Sequence, residues 1–290
     1  MNRAARPERS GGDERGDGRA REFHLSDRNF DCIADFIRNY AGIEMSKAKR
    51  DLVYSRLARR LRQLGLGDFD EYCKLLQTSQ EEMERCANAL ATNLTAFFRE
   101  PHHFRFLEQT LVPELVAAKR DRRITAWSAG CSTGEEPYSI AMTLADALPP
   151  GWDYRILATD LDSSVIERAA AATYSADRIA GLDDEVRKRW FRHGRGPNAG
   201  LVRVKERLRQ HITFRQLNLL ERWPMRRPVD FIFCRNTIIY FSKETQRKLF
   251  ERFHDMMRPS GYVFIGHSES LYKVTEQFDL LGQTIYRRIP

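Results

Sequence analysis

The segment over residues 127–162 decides the fold, and it reads WSAGCSTGEEPYSIAMTLADALPPGWDYRILATDLD. A short apolar strand over 124–127 leads into a loop that runs through Gly130 to Gly134. Two carboxylates and a helix follow, and a second strand over 154–158 ends near Asp160. This order predicts a βαβ unit that holds an adenosine-containing cofactor, because glycines let the backbone approach the ligand and the acid accepts hydrogen bonds from the ribose hydroxyls.

The charge at the start of the helix indicates which cofactor this unit binds. A dinucleotide would place a pyrophosphate there and would call for the spacing Gly-x-Gly-x-x-Gly. Here Gly130 and Gly134 are separated by three residues, and Glu135 and Glu136 stand where the phosphate would lie. Each carboxylate would repel an anion by about 1 kcal/mol or more at short range. S-adenosylmethionine carries an ammonium and a sulfonium and no phosphate, so the pattern favours this cofactor and a methyltransferase; alternatively, the glutamates could serve only the helix dipole.

Length and composition are typical of a globular protein, and the chain is long enough for one α/β domain and a second, smaller domain. It has 290 residues, of which 42% are hydrophobic, and no apolar run long enough to span a bilayer. Neither a signal peptide nor a cysteine pair is evident, so we expect reduced thiols in the cytoplasm, no disulfide and no metal. The net charge of +8 suggests an acidic partner, but composition does not choose among nucleic acid, a membrane surface and an acidic protein.

The chain divides into three parts. Residues 1–21 are rich in Arg, Gly and Asp and are expected to be a disordered tail. Residues 22–90 show helical periodicity and predict a small all-helical domain, in which Asp68 caps a helix. Residues 91–290 predict a Rossmann-like α/β domain with a mostly parallel sheet and a small antiparallel β insertion at about 190–217. Further elements are expected as a helix over 102–119 and strands over 229–234, 262–265 and 284–287.

Five motifs follow one another along the chain. They are NLTAFFRE (93–100), STGEEPYS (132–139), ATDLD (158–162), FCRN with IYF (233–241) and GHSE (266–269). In this order they resemble the chemotaxis receptor methyltransferases, the CheR family, over residues 24–288. The resemblance implies transfer of a methyl group from S-adenosylmethionine to glutamate side chains in the cytoplasmic domains of chemoreceptors, which gives glutamyl methyl esters and S-adenosylhomocysteine.

The resemblance also implies which residues hold the cofactor. They are Asn93, Thr95, Arg99, Gly130, Glu135, Glu136, Asp160, Asn218, Leu219, Arg235 and Asn236. Asp160 takes the ribose, and Asp162 is then expected to cap the following helix. The family pattern implies Glu135 for the methionyl ammonium, although the sequence leaves the choice between Glu135 and Glu136 open.

Methyl transfer to a glutamate does not require the protein to activate the nucleophile. A glutamate has an ordinary pKa near 4.3, so at neutral pH the nucleophile is already an anion and needs no general base. Catalysis can rest on alignment within about 3 to 3.5 Å and on exclusion of water. Arg99 and Tyr240 are the predicted catalytic residues, as a cation and a hydroxyl beside the transferred methyl. Alternatively, Arg99 is a solvated surface charge and Tyr240 a core side chain.

Two further segments bear on the partner. The helix over 46–62 carries Arg56, Arg59 and Arg60 on the face opposite its apolar residues, and the resemblance implies that it docks onto acidic receptor helices. A merely solvated helix and nucleic-acid binding are the alternatives. The insertion resembles a β-subdomain that in some family members holds a receptor pentapeptide, but His193 stands where an arginine is often found, so this tether is in doubt; a structural flap is the alternative.

Two other functions compete with receptor methylation. A nucleic-acid methyltransferase is favoured by the net charge, but the segment CRNTIIY (234–240) lacks the Pro-Pro-aromatic signature of base methyltransferases. A regulator that senses S-adenosylmethionine without turnover is opposed by the presence of Arg99 and Tyr240. We therefore expect no nucleic-acid partner, membrane proximity only through the receptor, and a monomer.

Overall fold

A computed structural model describes residues 21–290 of the chain. The expected tail lies outside the described residues, except for Arg21. The amino-terminal unit consists of four helices, α1 (Asp27–Ala41), α2 (Arg50–Leu64), α3 (Phe69–Leu76) and α4 (Gln80–Leu90). Their apolar faces meet in one core, in which Ile33, Ile37 and Leu57 are completely buried.

The ends of these helices follow from local sequence. The Ser26 side chain accepts a hydrogen bond from the backbone N–H of Asn29 and starts α1, and Gly42 ends it in the left-handed conformation. Asp68 accepts from the backbone N–H of Glu71 and caps α3, as predicted.

A helix that contains a π-helical turn leads into the second domain. It consists of α5 (Pro101–Phe106) and α6 (Val112–Ala118), joined by the π turn Leu107–Leu111. The expected helix over 102–119 is therefore confirmed. Within residues 21–290, no helix is long and apolar enough to cross a membrane.

The second domain contains two sheets. Its strands are β1 (Arg123–Ala129), β2 (Asp153–Asp160), β3 (Thr173–Ser175), β4 (Phe191–His193), β5 (Leu201–Val204), β6 (Ile212–Gln216), β7 (Val229–Cys234), β8 (Met257–Ile265), β9 (Phe278–Gly282) and β10 (Ile285–Arg288). Its remaining helices are α7 (Glu135–Ala147), α8 (Ser163–Ala171), α9 (Asp184–Trp190), α10 (Glu206–Arg209) and α11 (Lys243–Met256).

The larger sheet has the strand order β6-β2-β1-β7-β8-β10-β9. The pairs from β6 to β8 are parallel, whereas β10 is antiparallel to both of its neighbours. Alternate residues of β1 enter different cores: Ile124 packs on the side of α7 and Trp127 on the side of α11. Both faces are therefore covered by helices, which confirms the predicted doubly wound α/β fold.

The order of the strands also locates a binding crevice. From β1 the chain adds β2 on one side, and it later returns to add β7 on the other side. Ligands of open α/β sheets bind outside the carboxyl ends of the strands at such a point of reversal. Here these ends are followed by Gly130 after β1 and Arg235 after β7, and β2 ends at Asp160.

The boundaries of the β insertion differ from the prediction. The small sheet has the order β3-β5-β4 and begins at Thr173, before the expected segment over 190–217. The strand Ile212–Gln216, which was assigned to the insertion, pairs in parallel with β2 and forms an edge of the main sheet. Alternation of apolar residues reveals a strand but not the sheet it joins, because the partner strand lies far away in sequence.

Candidate functional site

A cavity opens at the carboxyl ends of β1, β2 and β7. In open α/β sheets this is the place where cofactors and other small ligands bind. Eleven of the twelve predicted cofactor and catalytic residues line it: Asn93, Thr95, Arg99, Gly130, Glu136, Asp160, Asn218, Leu219, Arg235, Asn236 and Tyr240. The lining residues that the sequence did not single out are Ala41, Ile43, Ala91, Thr92, Leu94, Ser132, Leu161, Leu217, Thr237 and Phe241.

The glycine loop is built by a turn against the end of β2. The backbone N–H groups of Gly130 and Cys131 both donate to the carbonyl oxygen of Thr159, at 2.8 and 2.9 Å. Gly130 has φ +93°, and a Cβ atom there would lie 2.3 Å from the hydroxyl oxygen of Thr237. The position therefore needs glycine for its conformation and for the close approach of the loop that follows β7.

Asp160 faces the cavity from the end of β2. Its carboxylate accepts from the backbone N–H of Ser132 at 2.8 Å and from that of Asp162 at 3.0 Å. Burial raises the pKa of Asp160 to about 6, although these backbone donors favour the ionised form. Asp162 accepts from the backbone N–H of Ser164 and caps α8, as predicted.

The two glutamates at the start of α7 have different surroundings. Glu136 lines the cavity, accepts from the hydroxyl of Ser128 at 2.7 Å and forms a buried ion pair with Arg235 at 2.7 Å. Glu135 is completely buried outside the cavity lining and is held by Arg178 and by the hydroxyl of Thr133. A cation in the cavity would therefore face Glu136 rather than Glu135.

The linker between the domains forms one wall of the cavity. The Asn93 amide donates to Asp162 at 2.8 Å, and its backbone carbonyl accepts from the hydroxyl of Ser132 at 2.9 Å. Arg99 donates to the carbonyl oxygen of Leu94 at 2.8 Å. The Arg178 guanidinium also donates to the carbonyl oxygen of Thr95 at 2.9 Å, a contact that no sequence motif indicated.

Arg235 is oriented by groups on three sides. Besides Glu136, it donates to the carbonyl oxygen of Arg99 and lies 3.7 Å from Glu100. Burial and the nearby guanidinium lower the pKa of His103 to about 3. The neutral ring can then donate from Nε2 to the carbonyl of Gln283 at 3.0 Å and accept at Nδ1 from Arg235 at 3.3 Å.

Glu100, His102 and His103 bring their ligand atoms within 4.8 Å of one another, a spacing that could suit a metal ion. The sequence indicated no such cluster, because the three residues carry no recognised metal motif. The Arg235 guanidinium beside His103 opposes a further cation there. We therefore interpret the cluster as part of the network that holds Arg235.

The helical domain supplies the remaining wall. The Asn218 amide donates to the carbonyl oxygen of Tyr40 at 2.7 Å, and the backbone N–H of Glu44 donates to the carbonyl oxygen of Tyr240 at 2.8 Å. The Lys49 ammonium lies 5.0 Å from the centre of the Tyr240 ring. Tyr240 therefore stands at the boundary between the domains and at the cavity at once.

The three arginines expected on one exposed face of α2 are divided by the structure. Arg56 donates to the backbone carbonyls of residues 89–91, where α4 ends. Arg60 forms an ion pair with the buried Glu82. Only Arg59 of the three is exposed, and within residues 21–290 it forms no ion pair. The alternative of a merely solvated helix therefore does not describe Arg56 and Arg60, because α2 turns these side chains towards α4. Docking of the three arginines onto a receptor stays a prediction.

A glycine turn after β1 and an acid at the end of β2 are features of a Rossmann-like cofactor domain, and a carboxylate that faces the cavity suits the cationic S-adenosylmethionine of a methyltransferase. Family models match in the same order: "CheR methyltransferase, all-alpha domain" over residues 28–91 and "CheR methyltransferase, SAM binding domain" over residues 93–287. The chain belongs to the CheR methyltransferase family.

Curated relatives agree with this assignment. The chain is 45% identical over 268 residues to the chemotaxis protein methyltransferase of Salmonella typhimurium, which covers 90% of each chain. It is 44% identical over 268 residues to the Escherichia coli protein of the same description, over 90% of this chain and 91% of that one. It is 45% identical over 270 residues to chemotaxis protein methyltransferase 2 of Pseudomonas aeruginosa, over 91% of this chain and 94% of that one.

Proposed function

We propose that this chain methylates glutamate side chains in the cytoplasmic domains of chemoreceptors, with S-adenosylmethionine as the methyl donor. The observation that carries the proposal is the single cavity that gathers Glu136, Asp160, Arg99 and Tyr240. These side chains offer acceptors for a cationic, ribose-containing donor and donors for an anionic substrate.

The residues of the cavity fit the cofactor. Asp160, at the end of β2, can accept from the ribose hydroxyls, and Glu136 can accept from the methionyl ammonium. Leu219 and Leu161 provide apolar wall for the adenine, and Asn218 lies beside them as a hydrogen-bonding group. Glu136 lies where a phosphate-containing cofactor would place its anion, which disfavours NAD and ATP.

Orientation and desolvation supply the catalysis. The bound cofactor presents a methyl group on a cationic sulfur, which is a good leaving group for attack by a carboxylate oxygen. Arg99 and Tyr240 are proposed to hold the substrate carboxylate in line with that methyl, as guanidinium and hydroxyl donors. Because a glutamate is ionised at neutral pH, no residue of the cavity needs to remove a proton.

The receptor is proposed to approach over the helical domain. Tyr240 joins that domain to the cavity through Glu44 and Lys49, so a segment that enters beside Tyr240 also passes the amino-terminal end of α2. Arg59 is an exposed arginine on that helix and can meet acidic receptor residues. We propose that Arg56 and Arg60 act on docking through the packing of α2 on α4. Because the substrate is a cytoplasmic domain of the receptor, we propose that the enzyme acts in the cytoplasm, and we propose separately that it acts as a monomer.

Labelled S-adenosylmethionine separates this function from its alternatives. The protein is incubated with membranes that contain chemoreceptors, and in parallel with RNA. Label on protein that is released as methanol by mild base is the expected result, since it identifies a methyl ester. Base-stable label on RNA, or cofactor binding without transfer to either acceptor, would overturn the proposal.

A further inference from the structure

The motif Gly-His-Ser-Glu (266–269) ends in a buried carboxylate outside the cavity lining. Glu269 is 5% exposed, and its two oxygens accept three backbone N–H groups. Asn236 donates to Oε2 at 2.9 Å, Gly266 to the same oxygen at 2.5 Å, and Ile239 to Oε1 at 3.1 Å. One side chain therefore ties the turn after β8 to the loop after β7.

That loop, residues 235–240, carries three of the groups proposed to act in the cavity. Arg235 and Asn236 lie at its start and Tyr240 at its end. The loop amides that Glu269 accepts are those of Asn236 and Ile239. Asn236 has φ +57°, a left-handed conformation that a non-glycine residue adopts at a cost and that its surroundings must hold. The loop therefore depends on contacts from outside itself.

The turn after β8 fits closely against this loop. A Cβ atom on Gly266 would lie 2.4 Å from the amide nitrogen of the Asn236 side chain and 2.8 Å from its backbone nitrogen. Burial raises the pKa of Glu269, while the backbone N–H groups that it accepts act in the opposite direction. Both oxygens of the Glu269 carboxylate therefore accept hydrogen bonds from the loop, and one of them also accepts from the turn after β8.

We propose that Glu269 is a positioning residue for methyl transfer, which fixes residues 235–240 so that Tyr240 and Asn236 meet the reacting groups in the right geometry. This proposal rests on the proposed function. A displacement of the loop by about 1 Å would cost about 10²-fold in turnover. Glu269 acts through backbone amides and touches neither cofactor nor substrate.

The variant Glu269→Gln keeps the shape of the side chain but turns an amide NH₂ group towards one of the bound N–H donors. We expect kcat for a chemoreceptor cytoplasmic fragment to fall about 10²-fold, with faster hydrogen exchange confined to the three amides that Glu269 accepts, those of Asn236, Ile239 and Gly266. Asp230→Asn is the matched control, since Asp230 is a buried carboxylate in the first half of β7 that accepts from the backbone N–H of Thr125. The control should lose stability without either change.

The Gly266→Ala variant pushes Asn236 from the other side and should reproduce the loss of turnover and the local exchange, so the test holds if Glu269→Gln does not fold. Hydrogen exchange needs no receptor, so it tests whether Glu269 fixes the loop even if the wild-type protein methylates no receptor. The proposal would be overturned if hydrogen exchange at Asn236 and Ile239 were unchanged in Glu269→Gln. It would also be overturned if Asp230→Asn lost as much kcat as Glu269→Gln when the two variants had lost the same thermal stability.

Discussion

Cofactor binding should depend on the ionisation of Asp160. Its carboxylate lies at the end of β2 with a pKa raised to about 6 by burial, and it can accept hydrogen bonds from ribose hydroxyls only on oxygens that carry no proton. If only the ionised form binds, the apparent dissociation constant at pH 5 is about eleven times the limiting value and at pH 7 about 1.1 times. The affinity for S-adenosylhomocysteine should therefore rise about tenfold from pH 5 to pH 7.

The stability of the free protein changes with pH in the opposite direction to the affinity for the cofactor. Because the pKa of Asp160 is raised in the folded chain, the free protein loses stability as pH rises through about 6. Isothermal titration calorimetry over pH 5 to 7 measures the affinity, and Asp160→Asn serves as the control, since any titration of the ligand itself remains in that variant. A flat wild-type profile, or the same slope in Asp160→Asn, would refute the assignment of Asp160 to the ribose.

Four further substitutions test the cavity, the docking surface and the packing of the helical domain. Tyr240→Phe keeps the ring but removes the hydroxyl, so kcat should fall about 10- to 100-fold while calorimetry finds the affinity for S-adenosylhomocysteine unchanged. Arg59→Ala should raise KM for a receptor fragment without changing the melting temperature, since its side chain is exposed. Arg60→Ala should instead cost about 3 kcal/mol or more of unfolding free energy in urea denaturation, because it leaves Glu82 buried without its partner. Gly130→Ala should abolish cofactor binding in calorimetry, since the added methyl meets a hydroxyl at 2.3 Å on a backbone that already has positive φ.

Each of these expectations has an outcome that contradicts it. An unchanged free energy of unfolding for Arg60→Ala would mean that the buried Glu82 does not depend on its ion pair. Full turnover by Tyr240→Phe would remove the hydroxyl from catalysis and leave only a packing role. An unchanged KM for Arg59→Ala, measured beside an exposed-lysine control such as Lys248→Ala, would move receptor docking away from α2. Tight cofactor binding by Gly130→Ala would mean that the loop after β7 can move away from the added methyl group without loss of affinity.

Part of the cavity could be predicted from the sequence because some of its residues end a strand or directly follow one. The residues of the linker, such as Asn93 and Arg99, were predicted only through the family resemblance. Gly130, Asp160 and Arg235 each stand at the end of a strand, and parallel strands place such residues at one edge of the sheet. The choice between Glu135 and Glu136 could not be made in this way. Both open the same helix, and their surroundings differ through partners that are distant in sequence, Arg178 for Glu135 and Arg235 for Glu136.

Contacts between segments far apart in sequence account for the other differences. Periodicity places Arg56 and Arg60 away from the apolar face of α2, but it does not reveal that α4 packs beside them. Residues 212–216 lie within the segment predicted as the β insertion, but their parallel pairing with β2 depends on a register that no local pattern encodes. Ala41 and Ile43 join the cavity through the docking of a whole domain.

The division of the chain into two units therefore does not divide the site. The boundary between the two family matches falls next to Asn93, yet the cavity includes Ala41 and Ile43 on one side of it and Tyr240 on the other. A chimera of this catalytic domain with a relative's helical domain would thus inherit a mismatched wall, unless the partners of Tyr240 and Asn218 were exchanged with it. Modular evolution of receptor choice in such a protein has to change the cofactor pocket and the docking surface together.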